Sequence, residues 1–327
     1  MYAVRQYEFG SPDTLRYERV ADPEPGPGQV RIAVTAAAAY PHDIAVRSSA
    51  GNAARCPLPE LPVIPGHEVA GTVDAVGAGV DGAWLGRRVV TQLGLASGGY
   101  AELVVREVAA LHAIPDGLDD AVAVAVLGAG RAALGILDVA RPGAGDIVLV
   151  TAAASGVGTL LVQAACGAGA TVAGAAGGPD ELKQVRLAGA DLAVDRSSAG
   201  WCELLTAQLY GRRPTIVVDG VGGQIGCQAR DLLEVGGRLV VHGWSSGTPT
   251  EIGMTELYER ELTASVISGG HPAPCRGGVR ALEERALAEA ARGTLDPVVR
   301  RHPLRQAAQV QAGLSISGAA GAVVFVP

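Results

Sequence analysis

Residues 65–71 read PGHEVAG and place the imidazole of His67 directly before the carboxylate of Glu68. Such a pair could supply part of a catalytic zinc site, which needs three protein ligands and one open position. The other ligands would have to be Cys, His or Asp side chains elsewhere in the chain. The five cysteines lie at irregular spacings and form no Cys-x-x-Cys pair. The motif by itself leaves the metal question open.

A second candidate site is the small-residue turn AAASGVG, residues 152–158, which joins an apolar run to a helical segment. Small residues let the backbone approach a pyrophosphate, whose charge is then stabilised by the free N–H groups of a helix N-terminus. A tight turn with nothing bound is the alternative for such a motif taken alone. Its position at the start of a series of βα units favours dinucleotide binding.

The end of the second strand of that series indicates which dinucleotide is bound. NAD-binding chains usually place Asp or Glu there for the ribose hydroxyls, but residues 173–178 read AGAAGG and contain no acid. Arg196 and Lys183 could pair with a 2′-phosphate, or each could be a solvated surface charge. The sequence therefore predicts NADPH in preference to NADH.

These residues lie in two parts of the chain with different predicted secondary structure. Up to about Pro115, short β-like runs are broken by Gly and Pro, which predicts an all-β, barrel-like module; the runs are QVRIAVTAAA, VAGTVDAVG, RRVVTQLG and YAELVVRE. After Leu118, apolar strands alternate with helices, which predicts parallel βαβ units in a doubly wound sheet. A helix over Val279–Arg292 and a terminal strand, AVVFVP, follow, and this strand can return to the first module.

Composition argues against several classes of partner. A chain of 327 residues predicts two domains. The formal net charge of -7, without a basic run, argues against nucleic acid. The odd number of cysteines and the lack of a visible leader predict a reduced, cytoplasmic chain. The longest apolar run, Ala121–Ala129, is shorter than the ~20 residues that span a bilayer, so no membrane partner is predicted.

The whole chain resembles the medium-chain dehydrogenase/reductase superfamily, specifically its zinc-independent quinone oxidoreductase branch. The motifs that carry the resemblance are, in order, YPHDIAVRS, PVIPGHEVAGTVDAVG, GGYAELVV, GDIVLVTAAASGVGTLLVQAA, VVDGVGG, GGRLVVHG and GTLDPVVRRHPLRQAAQV. The resemblance implies an α/β fold with a GroES-like catalytic domain from residues 1–120 and 262–327. It also implies a Rossmann NAD(P)-binding domain from residues 121–261, and a homodimer.

The resemblance argues against zinc. Zinc alcohol dehydrogenases of the superfamily carry a Cys ligand where this chain has Tyr40, and a further ligand where it has Leu127. The four-cysteine lobe of those relatives would lie within TQLGLASGGYA, residues 91–101, which contains no cysteine. His67 and Glu68 are then predicted to be a hydrogen-bonded structural pair and no metal is predicted. Gly66, Gly71 and Gly77 are predicted to be backbone turns of the barrel.

The resemblance also implies a set of cofactor-binding residues near the Rossmann turns. They are Ser155, Gly156, Val157, Gly158, Gly178, Arg196, Val221, Gly222, His242, Gly243 and Trp244. Trp244 would form a wall of the nicotinamide pocket, or it is a packed loop indole. Glu181 stands where relatives carry Lys or Arg for the 2′-phosphate, which weakens the prediction of NADPH. Arg196, where relatives often have Tyr, could compensate.

Without a metal, the predicted reaction is hydride transfer from NADPH to a quinone or an α,β-unsaturated carbonyl compound, which delocalises the incoming charge onto oxygen. Tyr40 is the predicted catalytic donor to that oxygen, the alternative being a buried tyrosine bonded to a carbonyl. Arg131, where relatives carry Thr, is predicted to bind an anionic or phenolate substrate, or to stack at the domain interface. His42 is predicted to be a surface histidine, and Asp43 and Arg47 to form a salt bridge.

Two other functions remain as alternatives. One is an enoyl or tailoring reductase of a polyketide-like natural product, which would differ only in its substrate pocket. The other is a catalytically silent NADPH-binding protein. The fold does not decide among these three.

Overall fold

The computed structural model describes residues 1–49, 58–94, 97–267, 277–314 and 321–327. The chain forms two compact units. Unit 1 consists of Met1–Gly128, Leu287–Arg292 and Pro297–Pro327, and unit 2 of Ala129–Ala286 and Gly293–Asp296. The domain boundaries after residues 120 and 261 stay a prediction.

The first part of the chain is mainly β-strands. In order it contains β1 (Tyr2–Gln6), β2 (Leu15–Arg19), β3 (Gln29–Ala39), α1 (Pro41–Arg47), β4 (Glu68–Val76), β5 (Arg88–Gln92), β6 (Leu103–Glu107), β7 (His112–Ala113) and α2 (Asp120–Ala140).

Strands and helices then alternate. This part contains β8 (Ile147–Val150), α3 (Gly156–Gly167), β9 (Thr171–Ala176), α4 (Gly178–Leu187), β10 (Leu192–Asp195), α5 (Trp201–Gln208), β11 (Ile216–Asp219), α6 (Gly223–Asp231), β12 (Arg238–Val241), α7 (Met254–Glu259) and β13 (Thr263–Val266). The last elements are α8 (Gly278–Ala291), β14 (Val299–Pro303), α9 (Ala307–Gly313) and β15 (Ala322–Val326).

The larger sheet of unit 1 is built around β3. Its strands lie in the order β14-β15-β3-β4-β5-β7, and β6 also pairs with β3. Val30, Ile32 and Val34 of β3 are buried and alternate with more exposed residues, as expected when one face of a strand covers a core. Val323–Phe325 of β15 pair antiparallel with Ala37–Ala39. The predicted return of the C-terminal strand to the first module is confirmed.

Unit 2 contains a six-stranded sheet in the order β10-β9-β8-β11-β12-β13, and every pairing in it is parallel. All residues of β8 and β11 are buried, as expected for central strands that helices cover on both faces. The predicted doubly wound sheet is confirmed. The chain reverses direction across the sheet between β8 and β11, and ligands of such sheets bind outside the carboxyl ends of the strands at this point.

Helix α2 has the length and hydropathy of a membrane span, with a mean hydropathy of 1.8, but 72% of its most apolar window is buried inside the protein. A core helix passes the same test, so this is weak evidence for a membrane. The absence of a membrane partner stays a prediction.

Gly71 lies inside β4, and its prediction as a turn residue is wrong. The residue has no positive φ, and it is needed because β3 passes closely: a Cβ at position 71 would lie 2.1 Å from the carbonyl oxygen of Ala33. The contact is with backbone, which cannot rotate away as a side chain can. Gly66, by contrast, has a φ of +95°, the left-handed region that suits a turn glycine.

We expect Gly71→Ala to destabilise the protein by about 1–3 kcal/mol, because β3 and β4 must separate to admit the methyl group. Urea unfolding of the two proteins measures the difference. Gly82→Ala is the matched control: it also adds one methyl group in unit 1, but no atom of the described residues lies within 4 Å of its Cβ. Equal stabilities of the Gly71 and Gly82 variants would contradict the close approach.

Candidate functional site

Asp43 is the centre of a buried hydrogen-bond cluster in unit 1. It lies in the first turn of α1 and is 2% exposed. Its Oδ2 accepts hydrogen bonds from the backbone N–H of Tyr40 at 2.8 Å and from the hydroxyl of Tyr100 at 3.1 Å. Its Oδ1 lies 2.6 Å from Nδ1 of His67. One carboxylate thus joins the start of α1 to the turn before β4 and to Tyr100.

The predicted Asp43–Arg47 salt bridge is wrong. Arg47 points elsewhere: its Nε donates to Oε1 of Gln311 at 2.7 Å, and its Nη1 donates to the carbonyl of Gly10. Burial lowers the pKa of Arg47, which the nearby Tyr100 only partly offsets. Asp43 and Arg47 therefore form hydrogen bonds with different residues of unit 1.

His67 lines a cavity of about 130 Å³ in unit 1, together with His42, Gln6 and Ser97. Its side chain is 26% exposed, and its ring lies 5.0 Å from that of His42 in an edge-to-face arrangement at 68°. His42 is an exposed residue of α1, as predicted for a surface histidine.

The two imidazoles differ in proton affinity. Burial lowers the pKa of His67, but the hydrogen bond to Asp43 and the charges of Asp43 and Glu68 outweigh it, so the net pKa is raised. Burial lowers the pKa of His42, and the charge of His67 lowers it further. His67 is therefore the histidine of this cavity that holds a proton more readily.

Glu68 has partners of its own. Its Oε2 accepts from the hydroxyl of Tyr40 at 2.6 Å, and its Oε1 accepts from Nε2 of Gln92 at 2.9 Å. A Cβ at Gly128 would lie 2.2 Å from Oε1, so the glycine makes room for the carboxylate. His67 and Glu68 are thus bonded to different residues, and their prediction as one hydrogen-bonded pair is wrong.

The residues at the family's zinc positions do not fit a zinc site. Leu127 is fully buried and offers no ligand atom, and the hydroxyl of Tyr40 donates to Glu68. Within residues 1–49, 58–94, 97–267, 277–314 and 321–327, no group of three or more His, Cys, Asp or Glu side chains could hold a metal ion. Cys56 and Cys275 lie outside the described residues. Chemistry without zinc stays a prediction.

In unit 2, the small-residue turn leads into α3 in a form that suits an anion. Oγ of Ser155 accepts from the N–H of Gly158 at 3.0 Å and caps the helix. A Cβ at Gly158 would lie 1.9 Å from the carbonyl oxygen of Ala152, so only glycine permits this turn. No Cβ contact arises at Gly156. The start of α3 therefore presents backbone without bulky side chains, as pyrophosphate binding requires.

The turn after β11 is held by the buried carboxylate of Asp219. Its Oδ1 accepts from the hydroxyl of Thr151 at 2.7 Å and from the N–H groups of Val221 at 2.9 Å and Gly222 at 3.1 Å. The hydroxyl of Thr250 donates to Oδ2. Because Thr151 follows β8, Asp219 fixes the two turns on either side of the switch point in the sheet. The predicted residues of both turns lie together.

The segment after β12 lies against the turn after β11. A Cβ at Gly220 would lie 2.6–2.7 Å from the His242 ring, and one at Gly222 would lie 2.6 Å from Cβ of Trp244. Burial lowers the pKa of His242 to about 4, and the charge of Asp219 only partly offsets it. Its Nε2 is buried without a hydrogen-bond partner in the described chain. His242 is therefore a neutral imidazole, and Trp244 packs against the apolar core of unit 2.

Arg196, predicted to bind the cofactor, directly follows β10 and lies beside the end of β9, where its backbone N–H donates to the carbonyl of Ala176. Its Nη1 is 3.6 Å from Oε2 of Glu181 and 3.4 Å from the carbonyl of Ala175. Oε2 of Glu181 also accepts from the N–H of Gly177 at 2.7 Å. A carboxylate thus lies near the end of β9, supplied by Glu181 of α4, which stands where relatives carry Lys or Arg.

Arg131 is bound to a carboxylate within unit 2. Its Nη1 lies 3.0 Å from Oε1 of Glu283 on α8, and both side chains are largely buried. The ion pair holds α2 and α8 together. A role for Arg131 in substrate binding stays a prediction, as does the role of Tyr40.

Comparisons with known proteins concern the family and the fold of the chain. The family model described as an alcohol dehydrogenase GroES-like domain matches residues 26–116, and the one described as a zinc-binding dehydrogenase matches residues 156–284. The words zinc-binding in the second description belong to the family model. Residues 156–284, which match it, include none of Tyr40, His67 and Leu127.

Among curated proteins, a quinone oxidoreductase of Rattus norvegicus is 32% identical over 248 residues, which cover 74% of this chain and 73% of the relative. A mycocerosic acid synthase-like polyketide synthase of Mycobacterium tuberculosis is 30% identical over 284 residues, which cover 82% of this chain and 13% of the synthase.

Among solved structures, an NAD-dependent alcohol dehydrogenase is 30% identical with a TM-score of 0.87. A mycobacterial protein complexed with NADPH is 29% identical with a TM-score of 0.83. In both comparisons all of this chain and all of the other chain are covered. The fold is a GroES-like domain joined to a Rossmann-like NAD(P)-binding domain. The chain belongs to the medium-chain dehydrogenase/reductase superfamily of oxidoreductases, in its quinone oxidoreductase branch.

Three features of the sites were missed from the sequence: Asp219, Gly220 and the pairing of His67 with Asp43. The helix start in YPHD was a usable signal, since Pro at the first helical position and Asp two residues later are typical of an N-terminus. That signal places Asp43 in the first turn of a helix. It does not show that the carboxylate turns inward toward His67.

Acid should destabilise the protein through His242. Its pKa is 6.5 in an unfolded chain and about 4 when folded, so this component of stability is present above pH 6.5 and is lost as the pH falls toward 4. Roughly 1–2 kcal/mol should be lost by about pH 5. We expect His242→Leu to lack this component. The midpoints of urea unfolding of both proteins, measured above pH 6.5 and at about pH 5, give this component. Equal losses of stability in the wild type and in His242→Leu would contradict the buried neutral imidazole.

Proposed function

We propose that the protein is an NADPH-dependent reductase that transfers a hydride to a quinone or an α,β-unsaturated carbonyl compound. The observation that carries the proposal is the pair of turns at the carboxyl ends of β8 and β11, fixed to each other by Asp219. They combine a capped helix N-terminus with a glycine turn at the switch point of the sheet. A dinucleotide requires both of these features.

The residues of unit 2 fit such a cofactor. Glycines at positions 158, 220 and 222 let the turns pack closely on neighbouring parts of unit 2, since a Cβ at each would clash with them. Ser155 orients the N–H groups of α3, and the turn at Val221 and Gly222 is held open by Asp219. Bound NADPH would supply the hydride. The chain's own contribution is to position the cofactor and to exclude water with neutral groups such as His242.

The choice of NADPH rests on Arg196. A guanidinium pairs with a phosphate through two parallel hydrogen bonds, and Arg196 directly follows β10 beside the end of β9, where the 2′-phosphate would be bound. Glu181 opposes this choice because its charge repels a phosphate and its distance to Arg196, 3.6 Å, makes it a competing partner. The mycobacterial relative's complex with NADPH supports the choice, and the name of the NAD-dependent relative weighs against it.

The proposed acceptors need no Lewis acid, because they carry the incoming charge on oxygen. An oxyanion of this kind needs a hydrogen-bond donor near it. Tyr40 has one hydroxyl hydrogen, and it is directed at Glu68. Arg131 similarly faces Glu283. To act as catalytic residues, Tyr40 and Arg131 would each have to leave the carboxylate that they contact and bind the substrate instead.

An enoyl reductase of a polyketide-like product is the second candidate. It is favoured by the polyketide synthase relative, of which this chain matches a segment of 13%. The chemistry at the cofactor is the same, and only the acceptor differs. A silent NADPH-binding protein is the third candidate.

We further propose a homodimer that joins through β13. This strand ends the sheet of unit 2: it pairs only with β12 in the described chain, and Val266 on it is 71% exposed. An unpaired strand edge with an exposed apolar residue suits pairing with a second copy.

We expect the protein to oxidise NADPH only when a quinone or an enone is present, with one NADPH consumed per acceptor reduced. The measurement follows the absorbance band of the reduced cofactor with a panel of quinones, enones and enoyl thioesters. Turnover of thioesters alone would favour the second candidate. Tight NADPH binding without turnover of any member of the panel would contradict the enzyme and favour the silent binding protein.

We expect Arg196→Ala to weaken NADPH binding by about 10- to 100-fold, because a charge-assisted hydrogen bond is lost, and to leave NADH binding nearly unchanged. Glu181→Gln should instead strengthen NADPH binding. Equilibrium titration of cofactor fluorescence gives both dissociation constants. Arg186→Ala, which removes an exposed arginine from the last turn of α4, is the control. An equal loss of NADPH and NADH binding in the Arg196 variant would contradict the assignment.

A further inference from the structure

We propose that unit 2 holds a binding site for a small organic carboxylate in a cavity near the amino ends of β12 and β13. The cavity has a volume of about 340 Å³, and Arg141, Arg238, Thr263 and Ser265 are among the residues that line it. Two arginines and two hydroxyl-bearing residues thus share one cavity. The inference does not rest on the proposed function.

The cavity lies at the end of the sheet opposite to the dinucleotide turns. Arg238 is the first residue of β12, and Thr263 is the first residue of β13. All strands of this sheet run parallel, so their amino ends share one end of the sheet. Their carboxyl ends, where Asp219 fixes the two turns, share the other end. The cavity is therefore separate from the proposed cofactor site.

The pairing of β12 with β13 places the lining residues of both strands on one face of the sheet. Arg238 is the register partner of Thr263, and Val240 is the register partner of Ser265. Register partners point to the same face of a sheet, and so do residues two apart in one strand. This face therefore supplies a guanidinium, two hydroxyls and an apolar side chain to the cavity. A second copy that paired along β13 would instead use the backbone groups at the edge of the strand.

The guanidinium of Arg238 is held in place by two hydrogen bonds. Its Nη2 donates to Oδ1 of Asp146 at 2.8 Å, and its Nη1 donates to the carbonyl of Arg141 at 3.2 Å. Within the described residues these bonds use two of the five N–H groups that a guanidinium carries, which leaves three for another acceptor. Because the side chain is fixed before a ligand binds, less conformational entropy is lost on binding.

Arg141 supplies a second guanidinium from the end of α2. It directly follows the helix and has a φ of +48°, in the left-handed region where glycine is usual after a helix. Its side chain forms no hydrogen bond or ion pair within the described residues. Strained positions of this kind are concentrated at ligand sites. The guanidinium of Arg141 is thus available to an anion in the cavity that it lines.

The charges around the cavity favour a ligand with one negative charge. Arg141 and Arg238 carry two positive charges, and Asp146, which lies 2.8 Å from Arg238, offsets one of them. None of the described residues that line the cavity is acidic. A single carboxylate balances the remaining positive charge, and it pairs with a guanidinium through two parallel hydrogen bonds. A doubly charged phosphate would leave an excess of negative charge.

The volume of the cavity indicates that the ligand is larger than a bare carboxylate. A cavity of ~150 Å³ accepts one benzene molecule in a well-studied case. The cavity of unit 2 has more than twice that volume, and Val139 and Val240 add apolar side chains to its lining. An aromatic ring or a short hydrocarbon chain that carries one carboxylate therefore has room in it.

Calorimetric titration of the full chain at low ionic strength tests the proposal, with benzoate as the probe. Benzoate should bind with a dissociation constant below about 5 mM. Benzyl alcohol has the same ring without the charge and should bind about 10- to 100-fold more weakly. Inorganic phosphate, an anion without an apolar body, should also bind more weakly than benzoate.

Arg141→Met should weaken benzoate binding about 10- to 100-fold, because the guanidinium is lost while a flexible side chain stays. Arg212→Met is the matched control and should bind benzoate as the wild type does. It removes an exposed arginine of unit 2 that does not line the cavity. Both variants should unfold in urea at the wild-type midpoint, because neither side chain is bonded within the described residues.

Three results would overturn the proposal. Binding of benzoate that is weaker than predicted, or equal in the wild type and Arg141→Met, would remove the site. Equal affinities for benzoate and benzyl alcohol would show that the arginines do not recognise the charge. Tighter binding of phosphate than of benzoate would remove the organic carboxylate as the class of ligand. No turnover is measured, so a failure of the proposed function would leave these results unchanged.

Discussion

The carboxylate of Asp43 is the interaction on which the organisation of unit 1 depends. A buried carboxylate is costly unless donors surround it, and Asp43 receives three: a backbone N–H at the start of α1, a phenol and an imidazole. The phenol belongs to Tyr100, whose ring packs edge to face on Phe325 of the C-terminal strand at 4.9 Å. One charge thereby links the helix after β3, the turn before β4 and the end of the chain. The same charge orients the imidazole that faces the cavity.

Unit 2 also contains a buried carboxylate that joins separate segments. Asp219 is also a buried carboxylate with backbone and hydroxyl donors, but its donors come from the two turns at the switch point of the sheet. It fixes backbone rather than a titratable side chain. Gly220 and Gly222 next to it allow close packing of the segment after β12, because a Cβ at either position would clash with His242 or Trp244.

The architecture was predictable because it follows from hydrophobic periodicity and turn motifs, which are local features of the sequence. The period of two in β3, the apolar central strands β8 and β11, and the turn before α3 each appear in the sequence as a contiguous signal. The side-chain partners were not predictable in this way. Asp43 has the right spacing for a helical pair with Arg47, and His67 is next to Glu68, but in each case a residue distant in sequence is the partner. Gln311, Tyr100 and Gln92 are brought near only by the completed fold, so no local pattern reports them.

We propose that this member of a dehydrogenase superfamily reduces its substrate without a metal ion. Metal content measured together with turnover tests this most directly. Purified protein should show a rate per chain that does not depend on its zinc content and that survives treatment with a chelator. One zinc ion per chain, with turnover lost on its removal and regained on its return, would contradict the account and would assign His67 to the metal.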